Sequence, residues 1–270
     1  MLVPYQIEIR QKKNLSRQFS CFMQKTCIVV PCYNEGNRLN VPCFQDFLKN
    51  SPHSLCFVND GSNDHTLEVA NSIKKNYPGQ VAVVDLKENV GKAEAVRQGF
   101  FAVLKDQDCD FIGYLDADLA TPLEEIDFLL SHFSNEVDIV IGSRVKRLGS
   151  NIKRYAFRHY LGRVFATMAS VTLDLEVYDS QCGAKIFRKE AAKTLFYRPF
   201  ESKWLFDLEI IYRLKMAHPE DFNRVILEVP LRTWQEQGDT RIKFFDFITA
   251  PIELLKIKRN TLKPDPLGPP

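Results

Sequence analysis

Short apolar runs that break off into polar, glycine-bearing turns set the rhythm of the first half of the chain. Cys27-Ile28-Val29-Val30 stops at Pro31 and gives way to Asn34, Glu35 and Gly36, and Leu55-Cys56-Phe57-Val58 runs into Asn59-Asp60-Gly61-Ser62. Further runs lie at 81–84, 111–115 and 137–141. Apolar stretches of this length, bounded by turn formers, predict strands buried on both faces, as in a parallel sheet. Between them, the spacing predicts helices over 38–48, 66–76, 93–105 and 123–133. In the second of these Leu67, Ala70 and Ile73 share a face, Asp64 supplies a cap and Pro78-Gly79 a stop. The alternation predicts right-handed βαβ units and an α/β fold, with a mostly parallel, nucleotide-binding sheet flanked by helices. Ligands of such sheets sit beyond the carboxyl ends of the strands, where these polar clusters lie.

After Gly142 the pattern loosens. It predicts a charged loop and helix over 151–170, strands at 184–187 and 225–229, and a helix over 205–215. Residues 1–25 read as an N-terminal extension to a domain spanning 26–235. Residues 236–260 form an amphipathic segment, in which Phe, Ile and Leu alternate with Lys and Arg. That segment suits either a membrane interface or a helix packed on the domain, with Pro251 kinking or starting it. Residues 261–270 read as a disordered tail.

Composition narrows the class. A 45% hydrophobic content can bury a core, and a net charge of +2 argues against wholesale nucleic-acid binding. The total conceals segregation: residues 144–163 carry seven Arg and Lys and no acid, so the remainder is net acidic. Seven cysteines, an odd number without Cys-x-x-Cys pairs, indicate free thiols in a reducing compartment. No secretory signal and no apolar window long enough to span a bilayer is found, which predicts a cytoplasmic protein, peripheral at most to the cytoplasmic membrane face.

Asp116-Ala117-Asp118 directly follows the run at 111–115. Carboxylates at i and i+2 on extended backbone project to one side, which suits a hard divalent cation such as Mg²⁺ or Mn²⁺; the same spacing also suits a solvated turn. Asn59-Asp60-Gly61-Ser62 reads either as hydrogen-bonding groups for a base or ribose or as a simple turn. Gly91-Lys92 opens a helix and can offer a cation and backbone N–H groups to a nucleotide, although no Walker A pattern is present. Absence of acid across 144–163 rules out local self-pairing and favours an anionic partner over a solvated basic face. The five histidines show no ligand spacing.

Six segments occur in order: Val30-Pro31-Cys32-Tyr33-Asn34-Glu35, Val58-Asn59-Asp60-Gly61-Ser62, Asn89-Val90-Gly91-Lys92-Ala93, Asp116-Ala117-Asp118, Gly142-Ser143-Arg144 and Asp179-Ser180-Gln181-Cys182-Gly183-Ala184-Lys185. Together they resemble the family 2 glycosyltransferases of GT-A fold, in the branch acting on polyprenyl (dolichyl) phosphate, over about 26–234. The resemblance implies inverting transfer of a sugar from a nucleotide sugar to a lipid phosphate, at a domain with an acceptor-side extension. It implies that Pro31, Tyr33, Asn34, Glu35, Asp60, Gly61, Lys92, Asp116 and Ala117 hold the nucleotide sugar, and that Asp116 and Asp118 take the metal, Asp118 the more directly. Arg144 and Arg158, 14 residues apart, would take the acceptor phosphate, with Gln181 and Trp204 on the acceptor side. Tyr155, Phe157, Leu161 and Phe165 would meet the lipid. Asp118, Arg144 and Asp179 stand as the catalytic set.

The mannosyltransferase pattern Asp-Ala-Asp-Leu-Gln is broken here by Ala120 and Thr121-Pro122, which favours the glucosyltransferase branch and UDP-glucose over GDP-mannose. An ionised phosphate acceptor needs no strong base, whereas a hydroxyl on a soluble or glycan acceptor would require one, from Asp179, Asp207 or Glu209. A silent nucleotide-sugar-binding module is the reading from another class; retention of both aspartates speaks against it.

Overall fold

The computed structural model describes residues 25–153, 166–237 and 244–261. The N-terminal extension, the phosphate candidate Arg158, the lipid-facing candidates Tyr155, Phe157, Leu161 and Phe165, and the tail from 262 lie outside these. Strands β1 (Thr26–Cys32), β2 (Ser54–Asp60), β3 (Val81–Leu86), β4 (Phe111–Leu115), β5 (Ile139–Ser143), β7 (Ala184–Arg188) and β8 (Ile226–Pro230) form one sheet in the order β3-β2-β1-β4-β7-β5-β8. A two-stranded ribbon pairs β6 (Asn151–Lys153) with β9 (Thr233–Gln235). Helices α1 (Val41–Asn50), α2 (Thr66–Asn76), α3 (Lys92–Asp106), α4 (Glu125–Leu130), α5 (Lys189–Phe196), α6 (Phe206–Ala217), α7 (Phe222–Val225) and α8 (Phe244–Thr261) accompany the strands.

Strand periodicity divides the core. In β1, Cys27 and Val29 point to one face while Ile28, Val30 and Cys32 point to the other. The first face packs residues of α3, α5, α6 and α8, and the second those of α1, α2 and α4. Helix α3 approaches the sheet closely: a Cβ on Gly99 would lie 2.4 Å from Val29, so glycine is required there. Phe100 stacks on Phe196 at 3.7 Å between centroids and meets Phe187 edge-on at 5.6 Å. Such aromatic pairs contribute about 0.5–1.5 kcal/mol each beyond area burial.

The sheet is mostly parallel, as predicted, with one reversal. β7 runs antiparallel to both β4 and β5, and Leu115 pairs with Ala184. The reversal brings the start of β7, and with it 179–183, to the carboxyl ends of β4 and β5. Residues 151–153, expected in loop or helix, instead form β6, because Ile152 is buried beside Trp234 in the ribbon. α1 begins later than residue 38 because Asn40 caps it, accepting from the Cys43 N–H at 3.3 Å, and a proline occupies its first turn.

The segment at 236–260 yields α8, which contains Pro251 and packs on α6 with Ala250, Leu254 and Ile257 fully buried. Among the described residues no helix is long and apolar enough to cross a membrane.

Candidate active site

Three loops at the ends of β1, β2 and β3 are stitched into one floor. Asn34, at φ 52°, donates its N–H to Ser62 Oγ at 3.0 Å and accepts from the Asn63 N–H at 2.9 Å. Glu35 N–H donates to Thr66 Oγ1 at 2.8 Å, and Gly36 N–H to Asp64 at 3.0 Å. Asp64 also accepts from the Thr66 N–H at 3.0 Å, but the cap position of α2 is His65 and not Asp64 as expected, because the helix starts one residue too late for Asp64 to occupy it. Pro31 and Tyr33 lie on the same rim.

Asp60, expected beside the nucleoside, carries a structural task. Its two carboxylate oxygens accept the N–H groups of Val90 at 2.8 Å and Gly91 at 3.1 Å, and only 3% of the residue is exposed. Asp60 therefore holds the turn that delivers Lys92. Gly61, at φ 62°, lies where a Cβ would sit 2.3 Å from the Glu88 carbonyl carbon, so this turn fits only against glycine.

Across the rim, Asp116 and Asp118 follow β4. Lys92 Nζ lies 2.5 Å from Asp116 Oδ1. Asp118 accepts from the Ala120 N–H at 3.0 Å, and Ala117 between the two acids is buried. Burial and then the charge on Asp116 push the Asp118 carboxyl up, against the pull of the Ala120 N–H, Lys92 and Arg38. Burial draws Lys92 down, but Asp116, Asp207 and Asp118 outweigh it and hold the ammonium above its ordinary value. Gly183 abuts this pair: a Cβ there would sit 2.0 Å from Asp116 Oδ2.

Two crowded carboxylates under one lysine form an oxygen donor set that suits a divalent cation. Among the described residues no group of three or more His, Cys, Asp or Glu side chains is placed to hold a metal. Any further oxygens would have to come from ligand phosphate or water.

Arg144 and Asp179 meet, but not as independent catalytic groups. Arg144 donates Nε and Nη2 to Asp179 at 2.7 and 2.6 Å, and its backbone N–H donates to the same carboxylate at 2.9 Å. Its guanidinium stands 5.4 Å from the Trp234 ring centroid. Glu228 in turn accepts the N–H groups of Tyr178 and Asp179, each at 2.8 Å. Asp179, first choice as a base, is thus a neutralised carboxylate that orients Arg144.

The other two base candidates are structural as well. Buried Asp207 accepts from Tyr114 and Lys185, and Lys185 also donates to the Cys182 carbonyl at 2.7 Å. Glu209, 1% exposed, accepts from Arg213 and from the Glu201 N–H.

Gln181 lies in the same 179–183 segment, and its Nε2 is buried without a hydrogen-bond partner among the described residues. Trp204 is partly buried against the core. Its neighbour Lys203 passes over Gly91, so the 201–205 loop covers the start of α3. Two contributors escaped the sequence reading. Arg38 pairs with Glu35 at 3.4 Å and lies within electrostatic reach of Asp118, its signal being a cation three residues after that glutamate. Gly183 was visible only as one letter of a motif.

A mixed sheet with paired carboxylates and a lysine at its carboxyl rim is an α/β arrangement suited to a phosphate-bearing ligand. Residues 27–196 match the family model "Glycosyl transferase family 2", and the chain belongs to that family. It is 30% identical to a dolichyl-phosphate beta-glucosyltransferase of Trichomonas vaginalis over 247 residues, covering 86% of this chain and 70% of the relative. It is 28% identical to the dolichyl-phosphate beta-glucosyltransferase of Homo sapiens over 269 residues, covering 93% and 80% respectively. The fold is GT-A. It is similar to crystal structures of glucosyl-3-phosphoglycerate synthase from Mycobacterium tuberculosis. The complex with UDP has a TM-score of 0.64 at 15% identity, covering 93% of this chain and 84% of that one. The complex with Mn²⁺, UDP and phosphoglyceric acid has a TM-score of 0.62 at 14% identity, covering 94% and 84%.

Proposed function

We propose that this glycosyltransferase moves glucose from UDP-glucose to the phosphate of a dolichyl or other polyprenyl lipid, with inversion at the anomeric carbon. The observation that carries the reading is the Asp116, Asp118 and Lys92 constellation at the carboxyl rim of β4. The names of the relatives support the sugar and the lipid, and the UDP and Mn²⁺ complexes of the structural neighbours support the donor and the metal.

Asp116 and Asp118 would hold Mg²⁺ or Mn²⁺. Bound there with the diphosphate, the cation would stabilise charge on the departing nucleoside diphosphate. Pro31, Tyr33, Asn34 and Glu35 line the nucleoside side, Asp60 and Gly61 fix the turn of Lys92, and Lys92 serves the diphosphate. On the acceptor side, Arg144, oriented by Asp179, takes the lipid phosphate with Arg158, and Gln181 and Trp204 lie along its approach.

One feature favours a phosphate acceptor over a hydroxyl. Asp179, Asp207 and Glu209 are each committed to a buried cation or hydrogen bond, so no free base stands among them. An ionised phosphate needs none, and catalysis rests on alignment of the attacking oxygen and on electrostatics.

Peripheral contact with the cytoplasmic face of a membrane completes the reading. Leu148 is fully exposed at a turn beside Lys146 and Arg147, and α8 exposes Ile252 and Leu255 beside Lys256 and Arg259. Apolar tips ringed by cations suit an anionic interface.

The test is a panel of labelled UDP-glucose, GDP-mannose and UDP-N-acetylglucosamine, each with polyprenyl phosphate in anionic liposomes or with soluble acceptors. Label from UDP-glucose in the lipid fraction supports the proposal. Label from GDP-mannose, or in soluble product alone, replaces it.

A further inference from the structure

The contact between Lys92 and Asp116 is not a plain structural salt bridge. Both side chains are more than a third exposed, at 39% and 38%, and exposed pairs of this kind contribute about 0–1 kcal/mol. Structural pairing nearby is done by another lysine, Lys185, which is fully buried and bound to Asp207.

Three constraints hold Lys92 at Asp116. Asp60 anchors the Val90 and Gly91 N–H groups, which fixes where α3 starts. The Phe206 ring centroid lies 5.9 Å from Lys92 Nζ. On the far side the Asp116 carboxylate is pressed against Gly183, so it cannot withdraw in that direction. A cation is thus already seated on one of the two carboxylates proposed for the metal, with part of its side chain still accessible.

We propose that Lys92 is a resident counter-ion for Asp116, which excludes a divalent cation from the nucleotide-free site and transfers to the donor diphosphate when nucleotide and metal enter together. The inference rests on the metal reading above. It makes metal and nucleotide binding synergistic: metal alone must compete with an ammonium held by Asp116, with Asp207 and Asp118 nearby, whereas the diphosphate supplies that ammonium with a new anion. By linkage, UDP then raises metal affinity by the same factor that metal raises UDP affinity.

The experiment measures free Mn²⁺ by electron paramagnetic resonance against the purified full chain, with and without UDP. The proteins are the wild type, Lys92→Met and Lys92→Arg, with folding checked by far-UV circular dichroism and thermal melting. Lys92→Met should bind Mn²⁺ alone about tenfold more tightly than wild type, and its enhancement by UDP should shrink by about the same factor. Lys92→Arg, which keeps a cation, should stay close to wild type in metal-alone binding.

Mn²⁺ affinity in folded Lys92→Met that equals or falls below wild type overturns the inference, as does an unchanged UDP enhancement. If wild type binds Mn²⁺ with UDP present, either result removes the counter-ion role and leaves the metal reading standing. If no protein binds Mn²⁺ even with UDP, the metal reading fails and the inference with it.

Discussion

Gly183→Ala tests the architecture of the site with one methyl group. The added Cβ would lie 2.0 Å from Asp116 Oδ2 and 2.4 Å from its Cγ, where ordinary contact begins at 3.4 Å. The carboxylate must therefore retreat by about 1.4 Å, breaking its 2.5 Å contact with Lys92 and leaving the position beside Asp118. A misplacement of about 1 Å can cost 10²-fold in rate, so kcat/KM should fall about 10²-fold, or about 2.7 kcal/mol of transition-state stabilisation.

Stability should respond far less. Overpacking costs about 1–3 kcal/mol in a rigid core, but Asp116 is half-exposed and can swing. A stiffer unfolded chain returns about 0.4–1 kcal/mol. The net change should stay within about 1 kcal/mol, measured by urea unfolding beside kinetics and Mn²⁺ binding with UDP. A variant with kcat/KM within twofold of wild type and unchanged Mn²⁺ affinity would refute the reasoning. So would an activity loss matched by a collapse of the fold.

Three further outcomes follow from buried and charged groups. Because the Asp118 carboxyl is raised in the folded state, its ionised form opposes folding: its stabilising contribution is present at low pH and lost as pH rises through the raised value. Asp118→Asn should then stabilise the metal-free protein at neutral pH by roughly 0.5–1 kcal/mol while abolishing Mn²⁺ binding, and wild-type Mn²⁺ affinity should begin to fall above the usual aspartate range as pH drops. A melting temperature lowered by the substitution contradicts this. Lys185→Met leaves Asp207 and Tyr114 without their cation and should cost about 3–5 kcal/mol in urea unfolding; a loss under about 1 kcal/mol would show the network to be dispensable. Burial pushes the Cys56 and Cys182 thiols up to about 12, while Cys43 is exposed, so iodoacetamide followed by mass spectrometry should label Cys43 and spare the other two in folded protein.

The repeating unit of the fold was legible because each strand buried on both faces leaves an uninterrupted apolar run, and each ends in residues that turn. Helix α2 emerged with its predicted bounds because Ala70 and Ile73 fall on one buried face and Pro78-Gly79 follows its end. β7 was legible as a strand but not as an antiparallel one, since direction depends on where a chain re-enters a sheet after a long excursion. Three-residue strands such as β6 carry no periodicity to read; pairing with Thr233, Trp234 and Gln235 creates them.

At the site, the motifs located the residues but not their partners. The Asp179 pairing with Arg144 joins residues 35 positions apart, and the Asp60 grip on Gly91 spans 31. No local pattern distinguishes a carboxylate that meets substrate from one that holds a loop. For 236–260, Ala250, Leu254 and Ile257 dock α8 on the domain while Ile252 and Leu255 stay exposed, a division that the spacing alone does not reveal.

Sugar transfer to a lipid phosphate is proposed to depend on Asp118 and its neighbours. The most direct measurement is incorporation of label from UDP-glucose into polyprenyl phosphate by wild type and Asp118→Ala, with Mn²⁺ and again with excess EDTA. Organic-phase label is expected for wild type with metal, and background for the variant and for every EDTA arm. Label that persists in EDTA or in folded Asp118→Ala would contradict it.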